Sequence, residues 1–150
     1  MYKDSLERFL DAQNSCLYAA SYADALAEMR AGKKQTHWIW YVYPQLRGLG
    51  RSEYSFLFGI RDKKEAEAYL AHEILGARLI EMTKVLLDLP EKNIYYIMSG
   101  IDASKLRSCM TLFANTENAP EIFGEVLKKY FNGKPDRKTL DMLGLAETQI

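Results

Sequence analysis

The sequence holds few of the residues that build metal centres or disulfide frameworks. It has two histidines and two cysteines in 150 residues. His37 and His72 are 35 positions apart, and no HExxH or CxxC motif occurs, so we expect no metal site. Cys16 and Cys109 each lie in a helical apolar pattern, which predicts buried free thiols; a disulfide between them is the alternative.

The sequence also lacks an excess of either charge and any long apolar run. Lys plus Arg number 20 and Asp plus Glu number 20, which argues against broad nucleic-acid binding. No apolar stretch approaches the length of a membrane helix, and the N-terminal MYKDSLERFL is charged and amphipathic rather than a targeting segment. We therefore expect a cytoplasmic protein that does not bind membranes.

Common cofactor and nucleophile motifs are missing as well. The short GLG run at 48–50 matches neither a Walker A motif nor a dinucleotide fingerprint, so no cofactor is expected. No G-x-S-x-G motif marks a nucleophile. Balanced charge and ten tyrosines are compatible with a homo-oligomer without indicating one.

What the sequence does contain is helical periodicity along most of its length. Apolar residues recur at helical spacing in 5–31, 63–72, 74–88, 102–113 and 119–131, and a short final helix is predicted at 139–145. Segment 5–31 reads as one kinked helix or two, and 92–98 is ambiguous between helix and strand. No repeat or linker divides the chain. We predict one compact all-α domain over 1–150, with six to eight helices, several of them short.

Helix caps are predicted at three polar residues. Asp62 and Asp102 precede apolar periodic segments, as N-caps do, and Thr36 precedes the aromatic run 38–43. That run also suits an extended strand, because β propensity is high there. We predict a short helix, since a lone strand without a partner is unstable.

The least generic part of the chain is Lys34–Ser52, here called the aromatic–glycine segment. His37 could act as an acid or base near neutral pH, and glycine amides with nearby arginines could hold an anion. The alternative is that both tryptophans are core anchors and the histidine is structural. The predicted ligand-binding residues here are Lys34, Trp38, Trp40, Gln45, Gly48, Gly50 and Ser52, with His37 catalytic.

Two further polar groups outside this segment contain the other predicted ligand-binding residues: Lys105, Ser108, Thr111, His72 and Arg78. The first is a stripe that steps by three along one predicted helix, Lys105, Ser108 and Thr111, preceded by Asp102 as a candidate acid or base. The second is His72 at a helix junction, with Arg78 nearby. The structural alternatives are an N-cap at Asp102, a solvated Lys105 and a capping His72.

Three runs carry a family resemblance: HWIWYVYPQLRGLGRS, AYLAHEILGARL and IDASKLRSCMTLF. They resemble a bacterial family classed as domain of unknown function 1810, some of whose members carry the label calpastatin. The resemblance covers nearly the whole chain and implies a compact, mainly helical single domain, but no particular activity. This chain departs from the family pattern at Met98–Gly100 and at Cys109, where the family has a second serine.

These observations lead to two functional hypotheses. The first is a pocket for a nucleotide-like or phosphorylated small molecule, with hydrolysis as a possible reaction. The second is a non-enzymatic module that binds another protein through exposed aromatic side chains in 37–45. RNA binding by stacked aromatics is the least favoured because the net charge is zero.

Overall fold

The computed structural model describes residues 5–145, and their regular structure is helical. Within this range the elements are α1 (Glu7–Gln13), α2 (Tyr22–Arg30), α3 (Ile39–Val42), α4 (Glu53–Leu57), α5 (Lys63–Ala71), α6 (Glu73–Asp88), a 3₁₀ turn (Ile94–Tyr96), α7 (Gly100–Ala114), α8 (Ile122–Phe131) and α9 (Arg137–Met142). The one β-type pairing in the described chain is an isolated bridge between Leu46 and Ile60. The all-α prediction is confirmed; the described residues form nine helices, of which α3 and α4 are short, at 4 and 5 residues.

The N-terminal helical pattern divides into two helices rather than one. Residues 14–21 are not helical, and α2 starts afresh at a capping box in which the Ser21 hydroxyl accepts from the Asp24 N–H while the Asp24 carboxylate accepts from the Ser21 N–H. Such a box satisfies two helix-end donors at once. The ambiguous 92–98 segment contains the 3₁₀ turn and no strand.

Two of the three predicted caps are wrong. The cap of α7 is Ser99, whose hydroxyl accepts from the Asp102 N–H at 3.1 Å, so Asp102 lies inside the first turn. Thr36 does not cap α3, because its hydroxyl donates to Glu28 at 2.5 Å. The cap of α5 at Asp62 is confirmed.

The aromatic run 38–43 forms the helix α3 and lies in the core. The Tyr43 N–H donates to the Ile39 carbonyl at 3.0 Å, which closes the helical turn. Trp38, Ile39, Tyr41, Val42 and Tyr43 are all buried. The strand alternative is therefore excluded, and the run anchors α1 and α7, with which it packs.

Of the three longest helices, α8 packs on both α6 and α7, and the rings of Phe113 on α7 and Phe123 on α8 have centroids 5.8 Å apart. Helix α5 joins α6 at a sharp corner formed by His72, whose Nδ1 accepts from the N–H groups of Ile74 and Leu75 at 3.1 and 3.2 Å. A side chain at Gly76 would place its Cβ 2.0 Å from the Leu70 carbonyl oxygen. The corner thus requires glycine at that position.

A buried ion pair fixes the loop that follows α4. The Arg8 guanidinium contacts the Glu65 carboxylate at 3.1 Å and donates to the carbonyls of Leu57 and Gly59. Both charged side chains are almost fully buried, and hydrogen bonds satisfy the guanidinium, as buried charges require.

Two sequence-based expectations concern burial. Cys109 is buried as predicted, but Cys16 is exposed, because it lies in the irregular stretch between α1 and α2 rather than on a helix. Both are free thiols. None of the helices described here combines the length and apolar character needed to span a membrane.

Candidate functional site

A cleft of about 350 Å³ lies where three parts of the chain meet. These are the loop that follows α3, the first half of α7 and the start of α9. Polar residues, two of them lysines, outnumber the apolar and glycine residues in the described lining: Gln45, Leu49, Gly50, Ile101, Ser104, Lys105, Ser108, Asp136 and Lys138.

The loop wall of the cleft is held by a short backbone ladder and by helix α4. The Arg47 N–H donates to the Ile60 carbonyl at 2.8 Å, and the Ile60 N–H donates to the Gln45 carbonyl at 2.9 Å. Ser52 caps α4 by accepting from the Ser55 N–H at 3.0 Å. A Cβ at Gly50 would lie 2.2 Å from the Ser55 hydroxyl oxygen, so only glycine lets the loop approach α4 this closely.

The same loop contains two glycines whose backbone N–H donors are unused. The N–H groups of Gly48 and Gly50 make no hydrogen bond with any residue in 5–145. Gly50 lines the cleft, and Gly48 has φ +107°, a conformation that favours glycine. Unpaired amides in a concave loop are suited to binding an anion.

Helix α9 is tied to α7 by two side chains. The Thr111 hydroxyl accepts from the Asp136 N–H at 2.8 Å and donates to the Arg107 carbonyl. The Arg107 guanidinium donates to the carbonyls of Lys134 and Pro135 at 2.9 and 3.0 Å. These bonds hold the start of α9, with Asp136 and Lys138, against α7. Thr111 was predicted to bind ligand, but in the structure its hydroxyl positions α9.

The electrostatic balance inside the cleft is positive. Neither Lys105 nor Lys138 has an ion-pair partner in the described part of the chain. The single carboxylate in the lining, Asp136, accepts from the Thr139 N–H and hydroxyl at 2.9 and 2.6 Å as the cap of α9. Both bonds use one oxygen, Oδ2, and the carboxylate keeps its charge, so the two lysines leave the described lining with an excess of one positive charge.

Next to the cleft lies a much smaller cavity of about 10 Å³, here called the recess, lined by Trp40, Tyr43, Gln45, Tyr54, Ser55, Phe58 and Lys105. Gln45 and Lys105 line both cavities. Trp40 packs edge-on against Tyr54 with ring centroids 5.1 Å apart, and its indole N–H is buried without a hydrogen-bond partner in the structure.

The two predicted catalytic side chains do not line the cleft. His37 is exposed and makes no hydrogen bond within the described residues. The Asp102 carboxylate pairs with the Lys34 ammonium at 2.9 Å, and that ammonium also lies 5.0 Å from the centroid of the Trp38 ring. Lys34, Trp38 and Asp102 thus form a packed structural group, and catalytic roles for His37 and Asp102 stay predictions.

Trp38 is bound by Glu28, a residue that sequence reasoning missed. The Trp38 indole N–H donates to the Glu28 carboxylate at 2.8 Å, and the backbone N–H groups of Gln35 and Thr36 donate to it as well. Burial acts to raise the pKa of Glu28, but hydrogen bonds from Thr36 and Trp38 outweigh it and lower the pKa below its ordinary value. An acidic residue in a helix gives no signal for partners in the next loop.

His72 and Arg78 make structural contacts away from the cleft. His72 caps α6, and the Arg78 guanidinium donates to the Gln13 side-chain oxygen at 3.1 Å and lies 4.9 Å from the centroid of the Tyr22 ring. Of the predicted ligand-binding residues, the structure brings Gln45, Gly50, Lys105 and Ser108 into the cleft, with Trp40 beside them in the recess. Sequence reasoning did not select Leu49, Ile101, Ser104, Asp136 and Lys138.

The comparisons with known proteins agree with the sequence resemblance. The family model described as protein of unknown function (DUF1810) matches residues 3–143. The chain belongs to the DUF1810 family. No curated protein matches this DUF1810 member.

A solved structure with the same fold is the conserved hypothetical protein Rv1873 from Mycobacterium tuberculosis. It is 40% identical in sequence, the match covers 97% of this DUF1810 chain and 100% of the other, and the TM-score is 0.89. The family is described as one of unknown function, and this neighbour is a conserved hypothetical protein, so neither supplies a ligand or a reaction. A function for this DUF1810 protein therefore rests on the site itself.

Proposed function

We propose that the cleft binds a small molecule bearing a phosphate or similar anionic group. The observation that carries the proposal is that Lys105 and Lys138 line the same cleft as Gly50. Within residues 5–145, neither lysine has an ion-pair partner and the Gly50 N–H makes no hydrogen bond. Ammonium groups and loop amides together are the donors that proteins use for phosphate oxygens. The Gln45 amide and the Ser108 hydroxyl supply further polar partners.

The cleft also offers room for the organic part of such a ligand. Its volume of about 350 Å³ falls within the range of ordinary small-molecule pockets, roughly 300–1,000 Å³. Leu49 and Ile101 provide an apolar edge, and Ile101 is 72% exposed. An exposed apolar side chain beside two cationic groups favours a nucleotide-like or sugar-phosphate ligand over inorganic phosphate alone.

The lining supports binding rather than hydrolysis. Acid–base catalysis needs a titratable side chain in reach of the reacting atoms. Among the described lining residues there is one carboxylate, Asp136, whose Oδ2 caps α9, and no histidine, while His37 and Asp102 lie outside the lining. We therefore propose no reaction.

Protein docking through exposed aromatics in 37–45 is not the function proposed. That hypothesis requires exposed rings, whereas Trp38, Tyr41 and Tyr43 are buried and Trp40 is largely covered. The segment serves as core and as one wall of the recess.

A thermal-shift experiment with matched ligands tests the proposal. Adenosine 5′-monophosphate and ribose 5-phosphate should raise the melting temperature, whereas adenosine and ribose should not. At about 100 times Kd the expected stabilisation is about 2.7 kcal/mol, or several degrees for this chain length.

Three lysine variants provide the control. Lys105→Met and Lys138→Met should each reduce the shift, because each removes a cationic group from the cleft. Lys128→Met, an exposed position on α8 outside the lining, should leave it unchanged. Equal shifts in all three variants, or no shift with any phosphorylated compound, would overturn the proposal.

A further inference from the structure

The indole N–H of Trp40 is a buried donor without an acceptor among the described residues. Buried donors are nearly always satisfied, since an unmade hydrogen bond is costly away from water. The other tryptophan illustrates the rule, because the Trp38 indole donates to Glu28 at 2.8 Å. Trp40 therefore calls for an acceptor from outside the described chain.

The space beside Trp40 is matched to a single acceptor atom. At about 10 Å³, the recess is at the lower limit for one water-sized group. Most of its walls are aromatic, from Trp40, Tyr43, Tyr54 and Phe58, so nothing larger than an oxygen fits.

The recess is also continuous in its lining with the cleft. Lys105 and Gln45 line both cavities, so Lys105 is placed to hold an anion that reaches from one to the other. Lys105, which has no ion-pair partner among residues 5–145, is a cation that lines both cavities. One oxygen of such an anion would enter the recess while the remainder of the group stays in the cleft.

We propose that Trp40 is a ligand-recognition residue whose indole N–H donates to one oxygen of the anionic group bound in the cleft. The inference rests on the proposed function and deepens it. It assigns the ligand an oxyanion, phosphoryl or carboxylate, with one oxygen that has no bulky substituent. A phosphodiester whose non-bridging oxygens are shielded would be excluded.

An NMR titration of the unmodified protein tests this directly. The two indole N–H signals, of Trp38 and Trp40, are followed in ¹⁵N-labelled protein as inorganic phosphate is added. The Trp40 indole proton should move downfield and saturate together with the Gly50 amide, since both would donate to the same anion. The Trp38 indole signal should stay in place.

A second measurement removes the donor without changing the shape of the ring. In a Trp38→Phe background, position 40 is the one tryptophan, and biosynthetic replacement by β-(3-benzothienyl)alanine exchanges the N–H for sulfur. The phosphate Kd should rise about tenfold relative to Trp38→Phe with ordinary tryptophan, as for a lost hydrogen bond to a charged group.

The possible failures separate the two proposals. If Lys105→Met weakens phosphate binding but the Trp40 signal and the benzothienyl variant show no effect, this inference is overturned and Trp40 bonds a structural water only. If the unmodified protein does not bind phosphate or adenosine 5′-monophosphate at all, both proposals are overturned.

Discussion

At the scale of single residues, the two members of the Lys34–Asp102 ion pair differ in burial. The Lys34 side chain is 4% exposed and the Asp102 side chain 19% exposed. Loss of the carboxylate would leave a nearly buried ammonium group without a counter-charge, which is more costly than loss of an exposed charge. The pair joins the loop after α2 to the first turn of α7.

We expect Asp102→Asn to lower the free energy of unfolding by about 3 kcal/mol, measured by urea denaturation. The double variant Lys34→Met/Asp102→Asn should recover much of this loss, because it no longer buries an unpaired charge. Lys84→Met, which breaks the exposed pair with Asp88 at 3.8 Å, is the control and should cost less than about 1 kcal/mol. A double variant no more stable than Asp102→Asn would contradict this account.

Glu28 predicts a specific dependence of stability on pH. Its folded-state pKa is lowered, so its contribution is fully present above the unfolded-state pKa of roughly 4.3 and is lost as pH falls through the folded value. Glu28→Gln should therefore be less stable than the parent at neutral pH. The difference between the two proteins should shrink below about pH 4.

Denaturation curves of both proteins between neutral pH and about pH 3 provide the measurement. Glu125→Gln, at an exposed position on α8, serves as the control and should not change the slope with pH. A constant difference between Glu28→Gln and the parent across the range would show that the charge of Glu28 is unimportant.

Residue-level roles were the hardest to predict from sequence. Trp38 and Trp40 are two positions apart, yet one is fully buried and bonded to Glu28 while the other borders a cavity. The sequence offers both the same local pattern. Their difference arises from residues distant in the chain, Glu28 on one side and Lys105 on the other.

At the scale of elements, the loop that contains Gly48 and Gly50 approaches α4 closely, and this close approach determines the shape of the cleft. A Cβ at Gly50 would collide with the Ser55 side chain, at 2.2 Å from its oxygen and 2.6 Å from its Cβ. We expect Gly50→Ala to cost about 2 kcal/mol of stability and to weaken phosphate binding, because the loop must move outward.

Two further variants frame that result. Ser55→Gly added to Gly50→Ala should restore part of the binding by removing the collision. Gly124→Ala, in helix α8 with open space around it, should instead stabilise the protein by up to about 1 kcal/mol. If Gly50→Ala left both the melting temperature and binding unchanged, the close approach would have no importance.

The hydroxyl of Thr111 gives a second test at this scale, because it fixes the start of α9 through the Asp136 N–H. Thr111→Val should cost about 1 kcal/mol of stability and weaken phosphate binding roughly fivefold. Thr83→Val removes a comparable buried hydroxyl that bonds within α6 at 2.6 Å, and it should affect stability alone. Equal binding by both variants would argue against a positioning role.

Elements themselves were largely predictable, and the exceptions have physical causes. Periodic apolar residues correctly indicated α5 to α8, since each helix buries one face. The cap of α7 was misassigned because Ser99 and Asp102 are both good capping residues three positions apart, and sequence does not say which one starts the helix. The non-helical stretch between α1 and α2 contains no proline or glycine, so the sequence does not indicate where the first helix ends.

At the scale of the whole molecule, the two thiols differ in burial, and we expect them to react under different conditions. Cys16 is exposed, whereas Cys109 is fully buried, and burial raises the pKa of the Cys109 thiol well above its ordinary value. Thiolate is the reactive form, so the native Cys109 is both inaccessible and protonated.

In the native protein a disulfide reagent such as DTNB should therefore modify one thiol quickly. In the Cys16→Ser variant, the remaining thiol should react at a rate that rises with urea in parallel with global unfolding. Cys109→Ser is the matched control and should retain only the fast phase. Fast reaction of Cys109 without denaturant would show a local opening of α7.

The composition of the candidate site follows from the whole fold more than from any segment. Sequence reasoning joined Gln45, Gly50, Lys105 and Ser108 because all lie near recognisable patterns. It omitted Lys138, which enters the cleft only because α9 returns to pack on α7. It included His72 and Arg78, whose polarity is used for a helix cap and for Gln13. Nothing in a local pattern distinguishes a polar group used for structure from one left available.

The corner at His72 has a consequence for how chains of this family can vary in length. One residue ends α5 and begins α6, and the Leu70 carbonyl leaves no space for a side chain at Gly76. An insertion there would turn every later residue of α6 about the helix axis by roughly 100° and would carry its apolar face out of the core. Insertions and deletions among relatives are therefore expected at the longer connections, residues 14–21 and 115–121. The α5–α6 corner is expected to keep the same length in all of them.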